Sequence, residues 1–204
     1  MLECGLRIGE VLNLTTLSIY PNVDRNAYYL VVDKAEDHPL KDKPGIKNYC
    51  ARRTIAISNN LAAMLLDYIK EVRSLPYPAH NILFVSSREG AKPLSIHTPR
   101  TITNSIFKKL TEVFHLLVDD GAIDSIDNLT PHYFRHTWAV NAMAFFIEEK
   151  KYDMNKAVEM LRKIGGWSID SNMPLLYSNR YIADKAGRLN KERMQNSMIL
   201  EALV

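Results

Sequence analysis

Only two cysteines occur in the 204 residues, Cys4 and Cys50, and neither has a CxxC partner or a nearby histidine that would complete a zinc site. That argues against a disulfide framework and for a reducing compartment. Long hydrophobic runs are also missing. The densest apolar stretch, Ala139–Ile147, contains Asn141 and is far too short to span a bilayer. The opening residues, MLECGLRIGE, carry Glu3 and Arg7 and lack the apolar centre of a signal peptide. A cytoplasmic, soluble protein is expected. Charge of one sign is scarce: 26 Lys and Arg stand against 23 Asp and Glu, for a formal net charge of +3. That is too mild to argue for nucleic acid on charge alone. There are no internal repeats, no low-complexity tract and no evident carboxylate cluster for Mg²⁺. What is there is an ordinary globular composition, 47% hydrophobic and 24% charged, in a chain long enough for one good core.

The periodicity places elements along the chain. Leu6–Leu14, apolar at 6, 8, 11, 12 and 14, predicts a short helix. It begins at the chain start with nothing before it to pack on, so a truncated domain is expected. Tyr28–Val32 and Arg53–Ile57 are rich in β-branched and aromatic residues and predict the two strands of a hairpin. Their long polar connection carries Lys34, Lys41, Lys43 and Lys47 and is broken by Pro39, Pro44 and Gly45. A helix over Asn60–Arg73 follows, capped by Ser58 or Asn59. Ile82–Val85 predicts a third short strand. Pro99–Val118, Pro131–Glu148, Asn155–Lys163 and the run from Ala183 onward predict helices. The expected fold class is mainly α with a small antiparallel β-sheet near the N-terminus (α+β).

Four pieces carry chemistry. Cys4–Leu12, CGLRIGEVL, puts Arg7 near a helix start with Glu10 one turn on. Ile46–Ile55, IKNYCARRTI, puts Lys47 just before a strand. Thr130–Thr137, TPHYFRHT, opens a helix at Pro131 and sets His132 and Arg135 three apart, on one face. Gly165–Ser168, GGWS, precedes Tyr177 by nine residues. His132 and His136 also form an i, i+4 pair of the kind that binds zinc, but the metalloprotease signature needs a glutamate where Tyr133 stands. His136 is expected to be a buried, hydrogen-bonded support instead. Each piece has a plain reading as well. Arg7 could be a surface arginine, Lys47 a solvated charge with Lys34 as its rival, and Trp167 a core anchor at a turn.

Together, GLRxxE, the hairpin lysine, HxxRH, the GGW turn and the downstream tyrosine resemble the tyrosine recombinase (phage integrase) family. The resemblance covers about Cys4 to Tyr181. It implies a catalytic domain of that family, truncated at its N-terminus and without the DNA-clamping domain that relatives usually carry. It implies a chain that cuts and rejoins double-stranded DNA through a 3′-phosphotyrosine bond, within a homo-tetramer and without metal or other cofactor. Such a reaction builds negative charge on the equatorial oxygens of a phosphodiester, and side-chain cations then do what metal ions often do. The resemblance assigns Arg7 and Arg135 to grip those oxygens, as planar guanidiniums can. His132 adds a hydrogen bond and assists proton transfer. Lys47 protonates the leaving 5′ oxygen, and Trp167 donates its indole N–H where many relatives have histidine. Glu10 supports the arginines. Tyr177 is the expected nucleophile, with Tyr181 as its rival. Residues 1–182 are expected to form the catalytic domain. Residues 183–204 form a helical segment that docks on a neighbouring protomer or packs on its own domain. Lys41, Lys43, Arg52, Arg53, Lys92, Arg100, Lys108 and Lys109 are further candidates for phosphate contacts. Two other readings are a non-catalytic DNA-binding remnant and a topoisomerase IB-like enzyme.

Overall fold

The computed structural model describes residues 1–40, 44–46, 49–73, 79–86, 91–106 and 130–201. Contacts divide the chain into two compact units, Met1–Arg135 and His136–Val204.

In the first unit, α1 is Ile8–Leu12, shorter than the Leu6–Leu14 expected. Its start is set by Arg7, whose backbone is extended (φ −73°, ψ 154°) and whose N–H donates to Glu10 Oε2 at 2.8 Å. That is the reach-back half of a capping box. Strands β1 (Ile19–Asn22), β2 (Ala27–Val32) and β3 (Arg53–Ile57) form an antiparallel sheet in chain order. Leu30 stands opposite Ile19 on one side and Ile55 on the other. The β2–β3 hairpin is as expected, and β1 is an addition to it. Alternation decides what the sheet buries: Leu30 and Val32 on β2 and Ile55 and Ile57 on β3 face the core. Helix α2 (Asn59–Asp67), continued by a wider turn over Tyr68–Arg73, lays Ala62 on that core. Ser58 caps it, its Oγ accepting from Leu61 N–H at 3.1 Å.

Ile82–Val85 is not a strand of this sheet, contrary to expectation. It makes single bridges, Ile82 to Thr15 and Val85 to Pro93. Leu83 N–H donates to Leu14 O at 2.7 Å, and Leu94 N–H donates to Phe84 O at 3.1 Å. The segment is thus shared between two short irregular partners, so no ladder propagates. Residues 97–106 form α3. The rest of the helix expected to reach Val118 lies outside the described residues.

Helix α4 (Pro131–Ala144) opens at a proline, which needs no N–H partner in a first turn, and a wider turn carries it on over Phe145–Glu149. The division between the two units falls within α4. In the second unit, α5 is Met154–Gly165, capped by the Asp153 carboxylate on Lys156 N–H at 3.0 Å. Helix α6 runs Met173–Glu201, so it begins at Met173 and not at Ala183. Pro174 sits in its first turn, where its missing N–H costs nothing. The unit's core gathers Trp138, Met143 and Phe146 with Val158, Leu161, Trp167, Tyr177 and Tyr181. Among the described residues no helix is long and apolar enough to cross a membrane.

Candidate active site

In the first unit the site is organised around one buried carboxylate. Glu10 is 1% exposed. Its Oε1 accepts from Arg7 Nη1 at 2.7 Å and from Arg53 Nη1 at 3.1 Å. Its Oε2 accepts from Arg7 N–H at 2.8 Å and from Arg53 Nη2 at 3.0 Å, with Arg135 Nη1 at 3.9 Å. Burial alone would push this carboxyl up. The Arg53 guanidinium, then Arg7, outweigh burial and hold it below the ordinary carboxylate range. Arg135 is itself 1% exposed and donates Nη1–H to the Gly5 carbonyl. Of the predicted pair, Arg7 keeps 19% of its side chain accessible, and Arg135 is enclosed beside Glu10.

Arg7 lines a cavity of about 550 Å³ together with Gly45, Arg100, Asn104, Thr130 and His132. His132 is exposed in the first turn of α4, where helix N–H groups favour an anion. The wall carrying Gly45 is tied to α1 by Asn13, which is 1% exposed. Asn13 Nδ2 donates to Gly9 O at 2.7 Å and to Pro44 O at 2.8 Å. Its Oδ1 accepts from Ala35 N–H at 3.2 Å. Gly9 allows this approach: a Cβ there would stand 2.5 Å from the Gly45 carbonyl oxygen. Lys47, like Lys41, Lys43, Lys108 and Lys109, lies outside the described residues. Lys34 is exposed on the connection. Of the other expected phosphate contacts, Arg52 pairs with Asp33 at 2.9 Å on the surface, and Arg53 points inward to Glu10. Sequence reasoning missed the roles of Asn13 and Arg53. The signals were an asparagine between two core leucines, and an arginine in phase with Ile55 and Ile57.

The second unit builds the surroundings of Tyr177. Helix α5 ends at Gly166, in the left-handed region at φ 65°. Gly166 N–H donates to Lys163 O at 3.3 Å and Trp167 N–H to Arg162 O at 3.0 Å, a Schellman closure. The chain therefore folds back, and the Trp167 ring lies over Gly165. Trp167 is buried, stacked on Trp138 with centroids 6.2 Å apart, and 5.5 Å from the Tyr177 ring. His136, half-buried, lies 5.3 Å from the Tyr177 ring. Arg162, which sequence reasoning also missed, organises the turn between Trp167 and α6. Its Nη1 lies 2.6, 2.8 and 2.9 Å from the carbonyl oxygens of Ser168, Ile169 and Ser171. Both tyrosines are buried in one core. Tyr181 O–H donates to Glu148 Oε1 at 2.8 Å and accepts from Lys185 Nζ at 3.2 Å. Farther along α6, Leu189 and Met194 are exposed.

The pattern of the phage integrase family matches residues 1–169. No curated protein matches the chain in sequence. Among solved structures, XerA recombinase is 17% identical, with a TM-score of 0.58 over 92% of this chain and 53% of that one. XerH site-specific recombinase, bound to its difH substrate in a pre-cleavage complex, is 13% identical, with a TM-score of 0.56 over 91% of this chain and 42% of that one. The Tn1549 transposon integrase, in complex with transposon right-end DNA, is 18% identical, with a TM-score of 0.52 over 93% and 56%. The chain spans about half the length of these proteins. The likeness is one of fold, and it bears out the mainly helical class with a small antiparallel sheet.

Proposed function

Because the chain belongs to the phage integrase family of tyrosine recombinases, we propose that it is the catalytic part of a site-specific recombinase that cuts and rejoins DNA through a 3′-phosphotyrosine intermediate. Tyr177 attacks the scissile phosphorus and the phosphorus–O5′ bond breaks. Lys47 gives a proton to the departing 5′ oxygen, and His132 assists in moving the phenol's proton. Arg7 and Arg135 stabilise the charge that develops on the phosphate oxygens, with Trp167 as a further donor and Glu10 and His136 as supports. A 5′ hydroxyl then reverses the step, so the bond energy is conserved.

The observation that carries this reading is the Glu10 cluster. Residues 7 and 135 are far apart in sequence yet share one buried carboxylate, and Arg7 and His132 line one cavity. Tyr177 is favoured over Tyr181 because its ring lies against the two other expected site residues of this unit, 5.5 Å from Trp167 and 5.3 Å from His136, centroid to centroid. Tyr177 is 2% exposed, so the reading requires DNA binding to draw its hydroxyl out of the core. Residues 1–182 make the catalytic part. The exposed apolar residues of α6 beyond Ala183 support docking onto another copy in a tetramer on DNA. On this reading the protein works in the cytoplasm and is associated with the nucleoid when bound to DNA.

A nicked suicide substrate tests this. The wild-type chain is expected to form a protease-sensitive covalent adduct, and Tyr177→Phe to bind DNA without forming one. An adduct that survives in Tyr177→Phe and vanishes in Tyr181→Phe refutes the choice of nucleophile. DNA binding with no adduct from the wild type points to a remnant that only binds. Relaxation of supercoils without a specific site points to a topoisomerase.

A further inference from the structure

We propose that Arg53, on β3, is a positioning residue for strand transfer: its guanidinium grips both oxygens of Glu10 and so fixes the carboxylate against which Arg7 and Arg135 are set. This rests on the recombinase reading above.

Three guanidiniums converge on Glu10, and they differ in what they touch. Arg53 takes both oxygens, Nη1 to Oε1 at 3.1 Å and Nη2 to Oε2 at 3.0 Å. This is the parallel two-bond geometry that adds direction to charge. Its Nη1 also donates to Ala51 O at 2.6 Å, which anchors it to the turn just before its own strand. Its side chain is 8% exposed, so it is poorly placed to meet DNA directly. Arg7, by contrast, spends one guanidinium nitrogen, Nη1, on Oε1 of Glu10, meets Oε2 through its backbone N–H, and lines the cavity.

A carboxylate held by one partner can rotate about its terminal bond. Held on both oxygens by Arg7 and, in parallel, by a fork that is itself tied to the turn before β3, it cannot. Arg53 therefore adds a second, independent grip on the carboxylate and defines where Arg7 meets it. The cluster as a whole stays positive, since three guanidiniums face one carboxylate. It can thus hold Arg7 firmly without cancelling the field offered to a phosphate. The placement follows from strand geometry: residues 53, 55 and 57 share one face of β3, and Glu10 of α1 meets Arg53 at the start of that strand.

The test is a cycle of variants on the full chain with the nicked substrate: Arg53→Met, Arg53→Lys, Glu10→Gln and Arg53→Met with Glu10→Gln. DNA affinity and the single-turnover rate of adduct formation are measured separately, with circular dichroism to establish folding. Arg53→Met is expected to keep its affinity within about twofold and to lose about 100-fold in rate, the scale of a misplaced catalytic group. Arg53→Lys keeps the charge without the fork and should recover only part of the rate. It also carries the test if Arg53→Met does not fold. The double variant should react no more slowly than Glu10→Gln alone, because Arg53 acts through Glu10. Multiplying effects, an equal fall in affinity and rate, or a wild-type rate in Arg53→Met would each overturn the role alone. A wild-type chain that binds DNA and forms no adduct would overturn the recombinase reading and this role with it.

Discussion

Replacing Gly165 by alanine tests how the Gly-Gly-Trp turn is built. A Cβ at that position would stand 1.8 Å from Trp167 Cζ3, 2.3 Å from Cε3 and 2.7 Å from Cη2. Carbon atoms pack comfortably at about 3.5–4.0 Å, so the indole must retreat by roughly 1.7 Å or more. It is hemmed in, stacked 6.2 Å from Trp138 and 5.5 Å from Tyr177, centroid to centroid. Forcing volume into a packed core costs typically about 1–3 kcal/mol. Alanine's better helix propensity returns up to about 1 kcal/mol. A net loss of about 1–2 kcal/mol lowers Tm by roughly 2–8 °C in a chain of this size. Near-ultraviolet circular dichroism, which reports on the stacked indoles, should change along with the melt. Adduct formation should fall too, since the displaced ring lies against the proposed nucleophile. A Gly165→Ala chain that melts within about 1 °C of wild type, with an unchanged near-ultraviolet spectrum, would refute the packing argument.

Three further outcomes follow from the first unit. Glu10→Gln leaves Arg53 and Arg135 buried without their carboxylate and should cost about 3–5 kcal/mol. Because Glu10 is held below its ordinary value by Arg53 and Arg7 against the opposing effect of burial, its ionised form stabilises the fold above about pH 4.3, the value in an unfolded chain. That contribution fades as pH falls from there toward the depressed folded value, so Tm should drop more steeply with acid in wild type than in Glu10→Gln. Parallel Tm–pH curves would contradict this. Asn13→Ala strips the partners from the buried carbonyls of Gly9 and Pro44 and from Ala35 N–H. It should cost about 1–3 kcal/mol, and amide exchange at Ala35 should accelerate; unaltered exchange there would count against the tie. Burial pushes the Cys4 thiol up to about 11, and Cys50 is exposed. Iodoacetamide at pH 8 should therefore label Cys50 alone in the folded chain, by mass spectrometry, and both thiols after denaturation. Equal labelling rates in the folded chain would be inconsistent with a buried Cys4.

Much of this protein is legible in the order of its residues, because local periods are properties of the chain. Richness in β-branched and aromatic residues marked β2 and β3, Ser58 and Asn59 before an apolar helical run marked the start of α2, and proline followed by a three-residue spacing put His132 and Arg135 on one face of α4. The motifs named the family before any geometry was known. Other features are absent from local pattern. Strand β1 contains Pro21 and is a strand only because, as an edge, it pairs Ile19 with Leu30. Helix α6 begins at Met173 because a first turn tolerates proline. Arg53 and Glu10 lie 43 residues apart, and Arg135 and Gly5 lie 130 apart. Sequence spacing does not encode such meetings. They arise when the tertiary fold brings α1, the start of β3 and residue 135 of α4 together, so that the buried charges find one another out of water.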